Sequence, residues 1–138
     1  MTAVATRPVP GDRLPDLEVG PLSRIQVAYM TVAMRDPNPV HVDDDFARQA
    51  GLPGAIAHGT FAVSALGTAV SRHVGVDALR RLQVELTAPV FPGDRLTTEV
   101  TVEDVEDAEV GYVVHARLQA RNQAGTTVAR GRASWALT

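Results

Sequence analysis

Asp36 and His41 stand five residues apart, with Pro37, Asn38, Pro39 and Val40 between them. A carboxylate and an imidazole on a rigid turn can face one point in space. General acid–base work on a bound water requires that: one group takes a proton while the other holds or donates one. The two prolines limit the freedom of the loop, so the pair depends less on a substrate to order it. The competing reading is an aspartate capping a turn beside a surface histidine. A second cluster, Ala55-Ile56-Ala57-His58-Gly59-Thr60, leads into a long uncharged run. If a helix starts there, its first-turn amides point outward unpaired and carry partial positive charge. Gly59 would let a carbonyl come close, and an oxyanion forming there would be stabilised. A plain helix start, with glycine kept for packing, is the alternative.

Other elements must position these two clusters. Residues 1–18, with Pro8, Pro10 and Pro15, read as an irregular lead-in, with one short strand near Leu17 to Val19. Ser23 reads as an N-cap, and Ile25, Ala28, Tyr29, Val32 and Ala33 follow at helical spacing to about Met34. Pro37 and Pro39 then stop that helix. A short helix is expected from Asp43 to Ala50, with acids in its first turn and Gly51 just past its end. Thr60 to Ser71 carries no charge, and a helix apolar all round belongs in a core.

The second half changes period. Leu82, Val84, Leu86 and Ala88 alternate with polar residues, as do Leu96, Thr98, Val100 and Val102 after the Pro92-Gly93-Asp94 turn. The acids from Glu103 to Glu109 read as a solvated hairpin connection. Strands near Gly111 to Asn122 and Thr126 to Leu137 flank a turn at Asn122 to Gly125. One uncharged helix before several antiparallel strands makes an α+β arrangement, the sheet wrapped around the helix. A curved sheet of this kind leaves an edge and a face partly uncovered, which favours a dimer.

Composition removes several classes of function. The 138 residues fit a single domain, 1–138. A net charge of −3 gives no basic field for nucleic acid or an anionic membrane. Zero cysteines exclude a disulfide scaffold, thiolate catalysis and Cys-ligated metal centres. No signal peptide is visible, and the longest uncharged stretch is broken by Pro53 and glycines, so the expected location is cytoplasmic.

The string D-P-N-P-V-H at 36–41, then I-A-H-G-T at 56–60 and P-V-F-P-G-D at 89–94, resembles the MaoC-like, (R)-specific enoyl-CoA hydratase family. The resemblance runs from about Val19 to Leu137. It implies a hot-dog fold, with the long helix inside an antiparallel sheet. It also implies cofactor-free, reversible addition of water to a trans-2-enoyl thioester carried on coenzyme A or acyl carrier protein. Carried over to this chain, it makes Asp36 and His41 the catalytic pair and Asn38 an orienting amide. Gly59 becomes the donor to the thioester carbonyl, and Thr60 and Ser64, on one helical face, the hydroxyls near the substrate.

The sequence departs from the family at two positions. Many relatives have glycine where Arg35 precedes Asp36, and phenylalanine where Leu86 stands. Arg35-Asp36 also resembles the catalytic small subunits of two-chain hydratases acting on steroid side-chain CoA esters. The expected assembly is therefore a homodimer or a heterodimer with a second hot-dog chain. A hot-dog thioesterase and a non-catalytic partner subunit are the rival functions. His41, Asp43, Asp44, Asp45 and His58 invite a metal reading, but the three aspartates read as an acidic helix start and no ligand set emerges, so no metal is expected. The scattered Arg72, Arg80, Arg81 and Arg95, and the histidines His73 and His115, are read as surface or structural residues.

Overall fold

The computed structural model describes residues 6–138; the first part of the lead-in lies outside the described residues. A two-residue strand, β1 (Glu18–Val19), precedes helix α1 (Arg24–Ala33). A capping box starts α1: the Ser23 side chain accepts from Gln26 N, and the Gln26 side chain accepts from Ser23 N. A short 3-10 turn, Pro39–His41, follows, and then α2 (Asp44–Gln49), capped by Asp43. Next comes the central helix α3 (Gly59–Val74). The strands are β2 (Leu79–Leu86), β3 (Leu96–Asp107), β4 (Tyr112–Asn122) and β5 (Thr127–Leu137). They form one antiparallel sheet in the order β1-β3-β4-β5-β2.

The expected α+β packing is present. Helix α3 contacts β2, β3, β4 and β5, burying Ala62, Leu66, Ala69 and Val70 against Val100, Leu118 and Trp135. Small side chains along α3 let the sheet curve closely around it. Gly131 serves the same end within the sheet, because a Cβ there would overlap the Gln83 carbonyl oxygen of β2. The turn after β2 is tied to the last hairpin by Asp94, which is buried and accepts from Phe91 N at 2.9 Å and from Gln123 Nε2 at 2.8 Å.

Two details differ from the sequence expectation. Most of the acidic run does not sit in the connection: β3 extends to Asp107, with a register shift between Val102 and Asp104, and of the run's acids Glu109 alone lies in the turn. The ladder with β4 carries the strand on, Asp104 to Asp107 pairing with His115 to Tyr112, while Glu103 also meets Arg132 of β5 at 3.4 Å and Asp107 meets Arg7 of the lead-in at 2.6 Å. The apolar spacing of α1 does predict a helix, but Ile25, Tyr29 and Val32 are exposed and only Val27 is buried. Hydrophobic period reports the helix; it does not report which face the rest of the chain covers. Among the described residues, no helix is long and apolar enough to cross a membrane.

Candidate active site

Asp36 is placed by the way α1 ends. Arg35 N donates to Val32 O at 3.1 Å and Asp36 N to Thr31 O at 3.0 Å, the paired bonds of a Schellman motif. That motif needs a left-handed residue after the cap, and Arg35 supplies it at φ +51°. Glycine is the ordinary occupant of such a position. A side chain there costs about 1–2 kcal/mol.

His41 is placed by the 3-10 turn. Asn38 Oδ1 accepts from Val40 N at 3.1 Å, and Pro39 opens the turn. The Asn38 carboxamide oxygen thus holds the turn that carries His41. The turn is then stitched to the segment before α3: Ile56 N donates to Val40 O at 3.1 Å and His41 Nδ1 donates to Ile56 O at 2.8 Å. Ala57 N donates to Val90 O at 2.7 Å, and Asp44 Oδ1 accepts from Ala55 N at 2.9 Å. These bonds bring the two sequence clusters together. His41 and His58 stack with ring centroids 3.7 Å apart and planes inclined by 22°.

Asp36 Oδ2 lies 3.4 Å from His41 Nε2 and 4.0 Å from His58 Nε2. His41 and His58 are largely enclosed, whereas nearly half of the Asp36 side chain is exposed. Hydrogen-bond logic fixes the tautomers. A carbonyl only accepts, so His41 Nδ1 carries a hydrogen and the neutral ring presents a bare Nε2 lone pair to the carboxylate. Two acceptors 3.4 Å apart call for a shared proton, or for a water donating to both. The Thr31 hydroxyl donates to Val27 O at 3.1 Å, so toward His58 Nε2, 3.5 Å away, it can only accept. This contact is satisfied when His58 carries its hydrogen on Nε2. Burial pushes the His58 pKa down, a charge on the neighbouring His41 ring would push it the same way, and Asp36 opposes them more weakly.

Asp36, His41 and His58 could together offer three ligand atoms to a metal. The geometry does not suit one. Stacked rings send their in-plane lone pairs nearly parallel, whereas chelation needs them to converge.

The start of α3 has no side-chain cap, and the Thr60 Oγ1 and His58 Nδ1 beside it are buried without partners. A cavity of about 370 Å³ opens there, lined by Ala57, His58, Gly59, Leu86, Ala88 and Val90 among others. Ser64 is exposed on α3 and does not line it. A wider depression of about 600 Å³ lies over Gly131, among Arg117, Arg130 and Arg132, but none of the three clustered residues borders it. Sequence reasoning found Asp36, His41 and Gly59. It weighed His58 only as a metal ligand and missed Thr31, whose part depends on α1 packing beside His58.

A model of the MaoC-like domain matches residues 10–124. The chain belongs to this family. The MaoC-like chain is 33% identical over 93 residues to 3-hydroxyacyl-thioester dehydratase Y of Mycobacterium tuberculosis, a match covering 64% of this chain and 32% of that protein. It spans only 4–5% of the length of the fungal fatty acid synthase β subunits it also matches. Among solved structures, the (R)-hydratase of A. caviae involved in PHA biosynthesis superposes with a TM-score of 0.80 at 24% identity, covering 97% of this chain and 100% of that one. The ChsH1–ChsH2 complex of Mycobacterium tuberculosis also gives 0.80, at 20% identity over 94% and 98%. These likenesses establish the hot-dog fold, with α3 inside the sheet.

Proposed function

We propose that this MaoC-like chain is a hydro-lyase. It adds water to a trans-2-enoyl thioester to give the (R)-3-hydroxyacyl thioester, or runs the reverse dehydration. The observation that carries the reading is His41 Nε2 facing Asp36 Oδ2 at 3.4 Å. A water donating to both would have its oxygen lone pair free for attack on the β-carbon. As the C–O bond forms, the water proton passes to the Asp36–His41 pair, which returns a proton to the α-carbon on the same face. The pair titrates as a unit, so base and acid are roles of the pair. The thioester carbonyl would accept from Gly59 N at the uncapped start of α3. Such a donor is worth about 3–4 kcal/mol to an enolate-like transition state. Thr60 flanks that donor, and Asn38 keeps the turn rigid. No cofactor or metal enters the step.

The decisive experiment follows loss of the conjugated enoyl-thioester absorbance with short, medium and bulky enoyl-CoA substrates. A hot-dog thioesterase would instead release free thiol. The outer edge of β2, paired only with β5 among the described strands, supports a dimer with a second copy or a second hot-dog chain. Sedimentation of the purified protein distinguishes these from a monomer.

A further inference from the structure

His58 is the member of the cluster that no step of hydration consumes. It is 4% exposed, so a residue of its polarity needs a reason to be there. Its Nε2 lies 3.5 Å from Thr31 Oγ1 and 4.0 Å from Asp36 Oδ2, while its Nδ1 is buried with no hydrogen-bond partner. A second proton would have to go on that Nδ1, where no acceptor waits, on a ring stacked against His41. The titratable groups facing the ring are His41 from the 3-10 turn and Asp36 from the end of α1. Helix α1 adds the Thr31 hydroxyl, and the cavity side adds Leu86 and Ala88, which do not titrate.

We propose that His58 is a positioning residue for the Asp36–His41 pair: its neutral ring fixes the plane of His41, and its Nε2–H, held by Thr31, faces the Asp36 carboxylate. The proposal rests on the hydro-lyase reading for its kinetic consequences. Its structural content, a neutral ring with the hydrogen on Nε2, stands apart from that reading. A purely packing role makes a different forecast, since a flat apolar ring would then serve equally well.

The test compares His58→Phe, His58→Gln and Thr31→Val by steady-state hydration of an enoyl-CoA, with thermal melts to confirm folding. Phenylalanine keeps the stack and loses the donor. We expect kcat to fall about 10- to 100-fold, the scale of a misplaced catalytic group, with KM changed less than about threefold. Glutamine returns an N–H near the Nε2 position and should recover part of kcat. Thr31→Val should act in the same direction and add nothing in the His58→Phe background. A folded His58→Phe enzyme with unchanged kcat overturns the proposal. A glutamine variant no better than phenylalanine overturns it as well. If the wild-type chain hydrates no enoyl thioester, the hydro-lyase reading fails, and nitrogen-15 spectra of labelled histidine still decide the role of His58. A neutral ring with the hydrogen on Nε2 at about pH 6, below the ordinary histidine value, supports it. A charged ring, or one protonated on Nδ1, overturns it.

Discussion

Leu86 lies so close against Gly59 that a Cβ built on the glycine would overlap Leu86 Cδ1. Leu86 ends β2, is 51% exposed and borders the same cavity as His58 and Gly59. Gly59→Ala should destabilise the fold by less than core overpacking does, about 1–3 kcal/mol, since the half-exposed end of Leu86 can swing aside. It should lower kcat/KM by about 100-fold or more through the lost approach to the amide. Leu86→Ala removes the clashing atoms, so the double variant should be more stable than the sum of the single effects predicts. Urea denaturation of the four proteins measures this coupling; strictly additive values would mean that the two side chains do not compete for the same space.

The same contact bears on acyl selection. The cavity beside Gly59 is bounded in part by small residues, Ala57, Ala62 and Ala88, and Leu86 is a half-exposed large apolar side chain on its wall. Leu86→Ala should raise kcat/KM for bulky or long enoyl-CoA relative to crotonyl-CoA, and Leu86→Phe should shift the ratio the other way. A ratio that both variants leave unmoved places the acyl chain elsewhere.

Asp36→Asn and His41→Ala should each lower hydration at least about 10²-fold, the scale of general acid–base catalysis. Both residues sit on a framework held by backbone hydrogen bonds, so the variants should melt cooperatively, with far-ultraviolet circular dichroism unchanged. Unchanged turnover in both would remove the mechanism proposed above.

The lowered pKa of His58 links stability to pH. Above the ordinary value of 6.5, His58 is neutral in the folded and unfolded chain, and its contribution is present in full. As the pH falls below 6.5, the unfolded chain takes up a proton that the folded chain refuses, so stability declines until the depressed folded value is reached. Unfolding free energies measured from about pH 8 to pH 5.5 should fall on the acid side in the wild type and flatten in His58→Gln. Equal slopes would mean that His58 is protonated with equal ease in both states.

The sequence made legible what is local. D-P-N-P-V-H announces a rigid turn because proline and asparagine act within a few residues. The uncharged run announces α3 because its composition alone demands burial. The strand alternation announces the sheet for a similar reason. What escaped depends on pairing between distant segments. The stacking of His58 on His41 exists because Val40 and Ile56 share a hydrogen bond, and no periodicity encodes that bond. Likewise the acids from Glu103 to Asp107 resemble a loop until Arg132 and Arg7 stand opposite two of them. Arg35 was visible as a departure from the family pattern, but its left-handed backbone was not.

That backbone yields a prediction about stability separable from catalysis. Arg35 is held at φ +51° because the Schellman bonds to Val32 and Thr31 require a left-handed residue before Asp36. Glycine meets the requirement without a Cβ penalty, although it gives back part of the gain through the entropy of the unfolded chain. Arg35→Gly should therefore stabilise the protein by about 0.5–1 kcal/mol in urea denaturation. Arg35→Ala keeps the strained Cβ and should bring no such gain. Both variants retain the backbone bonds that place Asp36, so hydration of a short enoyl-CoA should change less than about threefold. A glycine variant less stable than the alanine variant would show that the arginine side chain, and not the backbone requirement, determines stability at the end of α1.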